Sequence, residues 1–372
     1  MDTHYAERQR RARELHESGK KVLGYFCCFV PLELLTAFDI VPYRIQGNVR
    51  EPIDRADACL EPMSCPYVRS CLDIALKGSY EFLDGLVVPH SCDTIEKIYD
   101  IWKYHLKPSY SHFLNVPHML TADAHQFFKK ELETFVASLE GFTGLKMTAE
   151  RLRQAIHLHN ENRSLLRKLY ELRKSQPPLV SGSEVTRILV AGMGMPVADY
   201  STMVNSFIAD VSGRSPDSHK IPRILLYGGE LDDAAVIKLV EDSGAHVVVD
   251  DLCTGTRTFW QDVEITTDPL DGIVKRYLSI YCPRSYIAQG STREKDLDNR
   301  FGYLGRYVRD FKVDGAILYI LRYCDTYEMD APDVRDFLRN QGIPVLILED
   351  DYTLTSSGQL RTRIQAFLEM IS

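Results

Sequence analysis

Two stretches of this sequence follow the same plan, a short apolar run that ends in the dipeptide Cys-Asp. Residues 84–93 read DGLVVPHSCD, and residues 314–325 read DGAILYILRYCD. Apolar runs of about 4–8 residues are typical of strands buried on both faces, as in parallel sheets. Parallel strands need crossover connections, so each run constrains the chain around it to alternate between strand and helix. The repetition is also a hint of internal duplication.

The alternation extends along both halves of the chain. Strands are predicted at 21–30, 40–45, 85–89, 111–116, 224–227, 246–250, 315–321 and 345–348. Helices are predicted at 31–38, 66–77, 94–105, 234–243, 300–311, 331–341 and 358–370. This pattern predicts an α/β protein with two doubly wound parallel-sheet domains of Rossmann or flavodoxin-like type, at residues 1–140 and 221–372. Helical periodicity, with a candidate kink at 192–196, predicts a helical connector over 141–220.

Charge and composition exclude several functions. The net charge is −8 and no Lys/Arg run is present, so no nucleic-acid partner is expected. No apolar run of about 18 residues exists, so no membrane partner is expected. Residues 1–21 lack the apolar centre of a signal peptide, which favours a cytoplasmic location. The Gly192-Met-Gly194 stretch has no strand in front of it, so no ATP-binding loop, flavin or NAD is expected on this chain.

The cysteines are the chemically informative residues. The chain has nine of them, at positions 27, 28, 59, 65, 71, 92, 253, 282 and 324. An odd number in a large chain of this kind favours metal ligation or catalysis over disulfide bonds. The alternative is that most are small buried hydrophobic residues.

Cys65, Cys92 and Cys324 differ from the others because they lie at a helix start or just after a strand. Backbone N–H groups at a helix start favour a thiolate, and the carboxyl ends of parallel strands converge on a ligand-binding crevice. Three such thiolates predict a metal or iron–sulfur site, and on an iron–sulfur cube they would leave one iron open. The compact Cys-x-x-Cys spacing of zinc ribbons and ferredoxins is absent, so buried, unrelated cysteines remain an alternative.

Other candidate residues have simpler interpretations beside the functional one. Glu33 fits a first-turn helix acid, and His90 fits a hydrogen-bonding partner beside Cys92. Arg257 could bind a phosphate or be ion-paired. Asp93 and Asp325 are expected to be N-caps of the helices that follow them.

A series of segments spread over residues 24 to 370 resembles the benzoyl-CoA reductase and 2-hydroxyacyl-CoA dehydratase family. The segments are GYFCCFVPLELLTAFDIVPYRIQGN, CPYVRSCLD, DGLVVPHSCDT, GAHVVVDDLCTGTR, DGAILYILRYCD, GIPVLILEDDYT and GQLRTRIQAFLEM. The resemblance implies two related α/β subunits, each with a 4Fe-4S cluster on three cysteines. By motif position those ligands are Cys65, Cys92 and Cys324. A separate ATP-hydrolysing iron–sulfur activator would supply one low-potential electron at a time.

The resemblance also implies the reaction. An acyl-CoA thioester would be reduced to a ketyl radical, from which dehydratases expel water and reductases hydrogenate an aromatic ring. The chain would be the 4Fe-4S subunit of either enzyme, paired with a homologous subunit or with itself. The C-terminal segment is closer to the reductase subunits. Dehydratases are expected to have a small hydroxyl residue where this chain has Cys27 and Cys28. This difference argues against the dehydratase role.

Further residues are expected to line the cleft. The set comprises Cys28, Gln46 and His90 as catalytic residues and Arg44, Glu33 and Arg257 as substrate-binding residues.

Two other interpretations stay open. Relatives called double-cubane cluster proteins hold an 8Fe-9S cluster, in which two cubes share a sulfide and need about six cysteines. Here Cys28, Cys253 and Cys282 could complete such a set, although Cys253 also fits a packing residue beside a glycine turn. The chain could also be a non-catalytic electron relay or scaffold with the same cluster.

Overall fold

The computed structural model describes residues 2–214, 221–283 and 292–371, and the predicted end of the connector at 215–220 lies outside them. The strands form two four-stranded parallel sheets. The strands are β1 Val22–Tyr25, β2 Val41–Arg44, β3 Gly85–Pro89, β4 Tyr110–Leu114, β5 Arg223–Gly228, β6 His246–Asp251, β7 Gly315–Leu321 and β8 Val345–Asp350. The first sheet has the order β2-β1-β3-β4 and the second β6-β5-β7-β8. The predicted α/β class with two doubly wound sheets is confirmed.

Helices cover the sheets and connect them. The N-terminal part contains α1 Asp2–Ala6, α2 Arg10–Glu17, α3 Leu32–Ala37, α4 Pro66–Leu76, α5 Asp93–Leu106 and α6 Ala122–Thr143. The connector contains α7 Ala149–Glu171, α8 Gly182–Gly192 and α9 Val197–Ser212. The C-terminal part contains α10 Ala235–Asp242, α11 Thr256–Phe259, α12 Pro269–Leu278, α13 Arg293–Asp310, α14 Asp325–Asn340 and α15 Ser357–Ile371. No helix of the described residues is long and apolar enough to cross a bilayer.

The sheet interiors explain the apolar runs. Every residue of β1, β3, β5 and β7 is buried. Strands that lie at the centre of a sheet covered on both faces read as continuous apolar segments, because neither face meets water. The predicted bounds of β3 and β7 are confirmed.

Two predicted elements are shorter or more broken than expected. The strand predicted to reach Val30 ends at Tyr25, because Cys27 has a left-handed backbone with φ 60° that turns the chain. At the candidate kink, 192–196, the connector is not one kinked helix but two separate helices, α8 and α9. It breaks where Gly192 packs against the ring of Tyr200 and Pro196 caps α9.

The N-terminal helices join the two sheet domains. The Tyr5 hydroxyl accepts a 2.9 Å hydrogen bond from the backbone N–H of Ala234, and Arg8 donates to Asp233 at 3.0 Å. On the other side Arg13 donates to the backbone oxygen of Ser79 at 2.7 Å. We call α1 and α2 the N-terminal strap, because these contacts connect the first domain to the loop that follows β5.

Candidate functional site

The three predicted cysteine ligands share one local structure. Cys65 caps α4, Cys92 caps α5 just after β3, and Cys324 caps α14 just after β7. Pro66 at the first helical position fixes the start of α4. Asp93 and Asp325 are therefore first-turn residues and not the N-caps that were predicted. Each of the three thiols stands at the positive end of a helix dipole.

The fold brings these three thiols together from two domains. The Cys65 thiol interacts directly with that of Cys324, and this contact lowers the pKa of Cys65, helped by the N–H groups of Val68 and Tyr67. The same contact, together with burial, raises the pKa of Cys324. Burial raises the pKa of Cys92 to about 12, and the charges of Cys65 and Cys92 interact. We call Cys65, Cys92 and Cys324 the first thiol group.

The chemistry of this donor set suits a cluster better than a single ion. Within the described ranges, no three His, Cys, Asp or Glu residues are arranged to hold one metal ion. A cube binds each thiolate through a different iron, so its ligands need not converge on one point. Three thiols at three helix N-termini also suit an anionic group, because the helix N–H groups and dipoles favour negative charge.

A second thiol group, Cys27, Cys28 and Cys253, lies beside the first. Cys28 interacts with both of the other thiols, which lowers the pKa of Cys27 and of Cys253 to about 6 and raises that of Cys28. The Cys253 sulfur also lies 3.1 Å from the Tyr327 hydroxyl. The charge of Cys27 interacts with that of Cys92, which connects the two groups.

Sequence reasoning identified part of this second group. Cys28 and Cys253, two of the three residues named for the double-cubane alternative, interact in the structure, whereas Cys27 was assigned no ligand role. Cys282 interacts electrostatically with Tyr227 and Tyr327, so it lies on the same side of the cleft. The adjacent Cys-Cys pair was visible in the sequence, but the left-handed backbone that orients Cys27 was not.

An ion pair crosses the cleft next to the second thiol group. Arg44, at the end of β2, donates to Glu230, which follows β5, and both are largely buried. Burial raises the pKa of Glu230 to about 7 even though Arg44 attracts its charge. In the part of the chain that the structure describes, Arg44 Nε and Glu230 Oε2 have no hydrogen-bond partner. Unpartnered buried polar atoms of this kind mark a place where a ligand can bind.

Two of the other predicted residues, Gln46 and His90, contact other parts of the protein. The Gln46 amide lies 3.5 Å from the backbone oxygen of Val190 in the connector. His90 pairs with Glu96 at 3.4 Å and its ring packs 6.0 Å from that of Phe113. None of these contacts involves a thiol.

Glu33 and Arg257 have their polar groups engaged by protein partners. Glu33 is fully buried and accepts from Arg163 and from the Tyr277 hydroxyl at 2.8 Å. Burial opposes its ionisation, but Arg163 holds the pKa of Glu33 well below its usual range. Arg257 donates to Asp251 at 2.8 Å and lies 3.4 Å from the Cys253 sulfur. Glu33 therefore fixes helices to one another, and Arg257 supports the second thiol group.

A cavity of about 90 Å³ opens between Cys27 and Cys28 and the connector. Its lining includes three buried arginines, of which only Arg44 was predicted. Arg163 comes from α7 and Arg276 from α12. Sequence reasoning missed these two because a buried arginine leaves no local pattern and the walls of the cavity come from distant parts of the chain.

Two doubly wound domains with a cysteine-lined cleft between their carboxyl edges define an α/β protein with an interdomain site. The model of the 2-hydroxyglutaryl-CoA dehydratase D-component family matches residues 27–371. The chain belongs to this family, which confirms the resemblance found in the sequence.

Three relatives match along almost their whole length. The putative dehydratase subunit YjiM of Escherichia coli (strain K12) is 29% identical over 96% of this chain and 93% of its own. A benzoyl-CoA reductase subunit from Thauera aromatica is 26% identical, with 94% and 90% covered. The (R)-phenyllactyl-CoA dehydratase beta subunit of Clostridium sporogenes is 22% identical, with 96% and 94% covered. The chain is thus an enzyme subunit of the dehydratase and benzoyl-CoA reductase type.

Proposed function

We propose that this chain is the 4Fe-4S subunit of an activator-dependent enzyme that acts on an acyl-CoA thioester. The observation that carries the proposal is the first thiol group, in which Cys65, Cys92 and Cys324 meet at three helix N-caps from two domains. These three cysteines would hold the cluster, which would supply low-potential electrons, one at a time, for reduction of the thioester to a ketyl radical. Water elimination or ring hydrogenation follows, depending on the substrate.

The chain's own residues do three things in this scheme. The N-terminal ends of α4, α5 and α14 stabilise negative charge at the thiolates. Burial of Cys65, Cys28 and Cys253 keeps water away from the reacting groups. The Arg44–Glu230 pair connects the facing sheet edges and so maintains the spacing of the cleft.

The exposed side of the first thiol group supports an external electron donor. Cys92 and Cys324 are only half-buried. Two apolar side chains close to Cys324 in the sequence face solvent, Tyr323 at 41% and Met329 at 81% exposure. Exposed apolar residues around a redox group suit the small, transient interfaces of electron-transfer complexes. The partner we propose is an ATP-hydrolysing iron–sulfur activator, and the names of the relatives as subunits favour a homologous second chain.

The first test is the iron and acid-labile sulfide content of protein purified without oxygen. We expect about four of each per chain and a visible spectrum that bleaches on reduction. Activator, MgATP and acyl-CoA added to the chain and its partner should then give turnover. A preparation that only changes redox state would show an electron relay, and one without iron would overturn the cluster proposal.

The second thiol group favours one alternative, a double-cubane protein. Cys27, Cys28 and Cys253 would then hold a second cube beside the first. The iron content would be about eight per chain. Cys253→Ser would lower it in that case, whereas a single cube on the first thiol group would keep its four irons in this variant.

A further inference from the structure

The 90 Å³ cavity between the second thiol group and the connector is lined by buried arginines that differ in how they are paired. Three arginines line it. Arg44 is paired with Glu230 and Arg163 with Glu33. His159 also lines it, but burial lowers the pKa of this histidine to about 4, so it is neutral near pH 7. The third arginine, Arg276, differs from the other two in its partners.

Arg276 is 4% exposed and donates to two backbone oxygens, those of Thr258 and of Gln261, the latter at 3.3 Å. Among the residues that the structure describes, no carboxylate lies within salt-bridge distance of it. Burial and the nearby charge of Arg163 lower the pKa of Arg276. A buried cation without a counter-charge is costly, so its retention at a cavity wall indicates that an anion completes the site.

The size of the cavity limits the anion. A cavity of about 150 Å³ accommodates benzene. Ninety cubic ångströms therefore suit about three to five heavy atoms. Nε and Nη2 of Arg276 already donate to backbone oxygens, so its guanidinium would bind a carboxylate through Nη1, in a charge-assisted hydrogen bond. Apolar neighbours such as Leu189 and Phe259 suit one or two methylene groups beside the carboxylate.

We propose that this cavity binds a small carboxylate, with Arg276 as its counter-charge. The carboxylate could come from two sources, the far end of a short acyl chain on the thioester substrate or a free acid such as acetate. The proposed carboxylate site does not depend on the presence of a cluster. A negative result for acetate binding would therefore leave the cluster proposal standing, and a negative iron analysis would leave the carboxylate site standing.

The test uses full-length protein purified without oxygen, with acetate as the probe and neutral, nearly isosteric acetamide as the control ligand. We expect acetate to raise the thermal unfolding temperature and to give saturable heat in calorimetry, whereas acetamide gives neither. Arg276→Gln should weaken acetate binding by at least about tenfold. The matched variant is Arg223→Gln, because Arg223 is equally buried and donates to backbone oxygens, but lies outside the cavity. It should leave acetate binding unchanged.

A second variant keeps the proposal testable if Arg276→Gln does not fold. Leu189→Phe fills the cavity without removing charge and should abolish the acetate response. Succinyl-CoA and butyryl-CoA then distinguish the two sources: displacement of acetate by succinyl-CoA alone identifies an acyl-chain carboxylate, and displacement by neither identifies a free acid. Equal responses to acetate and acetamide would overturn the proposal, as would acetate binding that survives Leu189→Phe.

Discussion

The two sheets have the same strand order but different chemistry at their carboxyl edges. In both, a cysteine that caps a helix follows the third strand, Cys92 after β3 and Cys324 after β7. After the first strand they diverge, with Cys27 and Cys28 beyond β1 and the acid Glu230 beyond β5. In each sheet the first and third strands are neighbours, and the switch point of a doubly wound sheet lies between them. Comparison of the domains therefore distinguishes the feature present in both, a helix-capping cysteine after the third strand, from the features present in only one.

The divergent positions make the domains complementary rather than symmetric. Arg44 ends β2, whereas Asp250 and Asp251 end the corresponding strand β6. Arg44 reaches across the cleft to Glu230. Two domains of the same topology thus face each other with opposite charges, and this favours one relative placement of the two edges.

The largest effect should come from the shared positions. If Cys92 and Cys324 do the same job in the two domains, Cys92→Ser and Cys324→Ser should each abolish stable iron binding. Turnover should fall by more than the ~10–100-fold that loss of a residue around a metal ligand costs. The measurement is iron content together with anaerobic activity.

The matched control is Cys59→Ser, because the Cys59 thiol is partly exposed and makes a weak contact with the backbone oxygen of Arg55, at 3.9 Å. It should leave iron and activity unchanged. If only one of the two shared cysteines mattered, the equivalence of the two domains would be wrong.

The divergent pair should affect stability. Glu230→Ala removes the carboxyl group that accepts from Arg44 and leaves this buried guanidinium without its partner, and we expect a loss of about 3–5 kcal/mol in the free energy of unfolding. Anaerobic denaturant titration measures it. Glu349→Gln breaks the exposed pair with Arg322 instead, at 2.9 Å, and should cost less than ~1 kcal/mol. Similar costs for the two variants would show that the pair across the cleft contributes little to joining the domains.

The parts of the molecule should also differ in their response to pH. Burial lowers the pKa of His112 in β4 and of His159 in α7 to about 4. The unfolded chain, with a histidine pKa of about 6.5, binds these protons first, so their contribution to stability is lost as the pH falls from about 6.5 to 4. Buried carboxyl groups of the C-terminal domain respond to pH in the opposite direction. Burial raises the pKa of Asp232 and of Asp251, so their contribution to stability is lost as the pH rises through their pKa in the folded protein.

We therefore expect the free energy of unfolding of His159→Gln to depend less on pH below about 6.5 than that of the wild type. The pKa difference between the unfolded and folded states corresponds to up to about 3 kcal/mol between pH 6.5 and 4. Urea denaturation at several pH values between about 6.5 and 4.5 measures it. His157→Gln, on the same helix but 73% exposed, should leave the profile unchanged. Parallel profiles for wild type and His159→Gln would contradict the expectation.

The smallest effect should come from the surface beside the shared cysteines. The fifth residue after Cys324 is the exposed Met329, whereas the fifth residue after Cys92 is the exposed, charged Lys97. If the activator docks over the apolar side, Met329→Glu should slow reduction by the activator by roughly 2–10-fold without changing the iron content. Stopped-flow reduction measures it. Met370→Glu, at a 71% exposed position on α15, is the control and should reduce at the wild-type rate.

The sequence was sufficient for features that depend on local pattern. The bounds of β3 and β7 were predictable because central strands in a covered sheet are apolar throughout. The location of Cys65, Cys92 and Cys324 at a helix start or just after a strand was predictable because strand ends and helix starts can be read locally, although the N-caps were predicted one residue too late, at Asp93 and Asp325. Residues such as Arg163 and Arg276 were not, because a buried arginine has no local pattern and its role depends on partners that the fold brings from elsewhere. The same holds for Cys27, whose backbone conformation only the folded chain reveals.

The position of the first thiol group along the chain also sets an order of assembly. Cys65 and Cys92 belong to the domain that leaves the ribosome first, whereas Cys324 is made more than two hundred residues later. N-terminal domains generally fold during synthesis. A nascent chain that has passed Cys92 but not Cys324 therefore carries two of the three thiols in a folded domain without the third. The hydrogen bond from Arg8 to Asp233 likewise cannot form until Asp233 has been synthesised. Completion of the site is thus a late event in synthesis, and a truncated chain would expose an unfinished pair of thiols to oxidants.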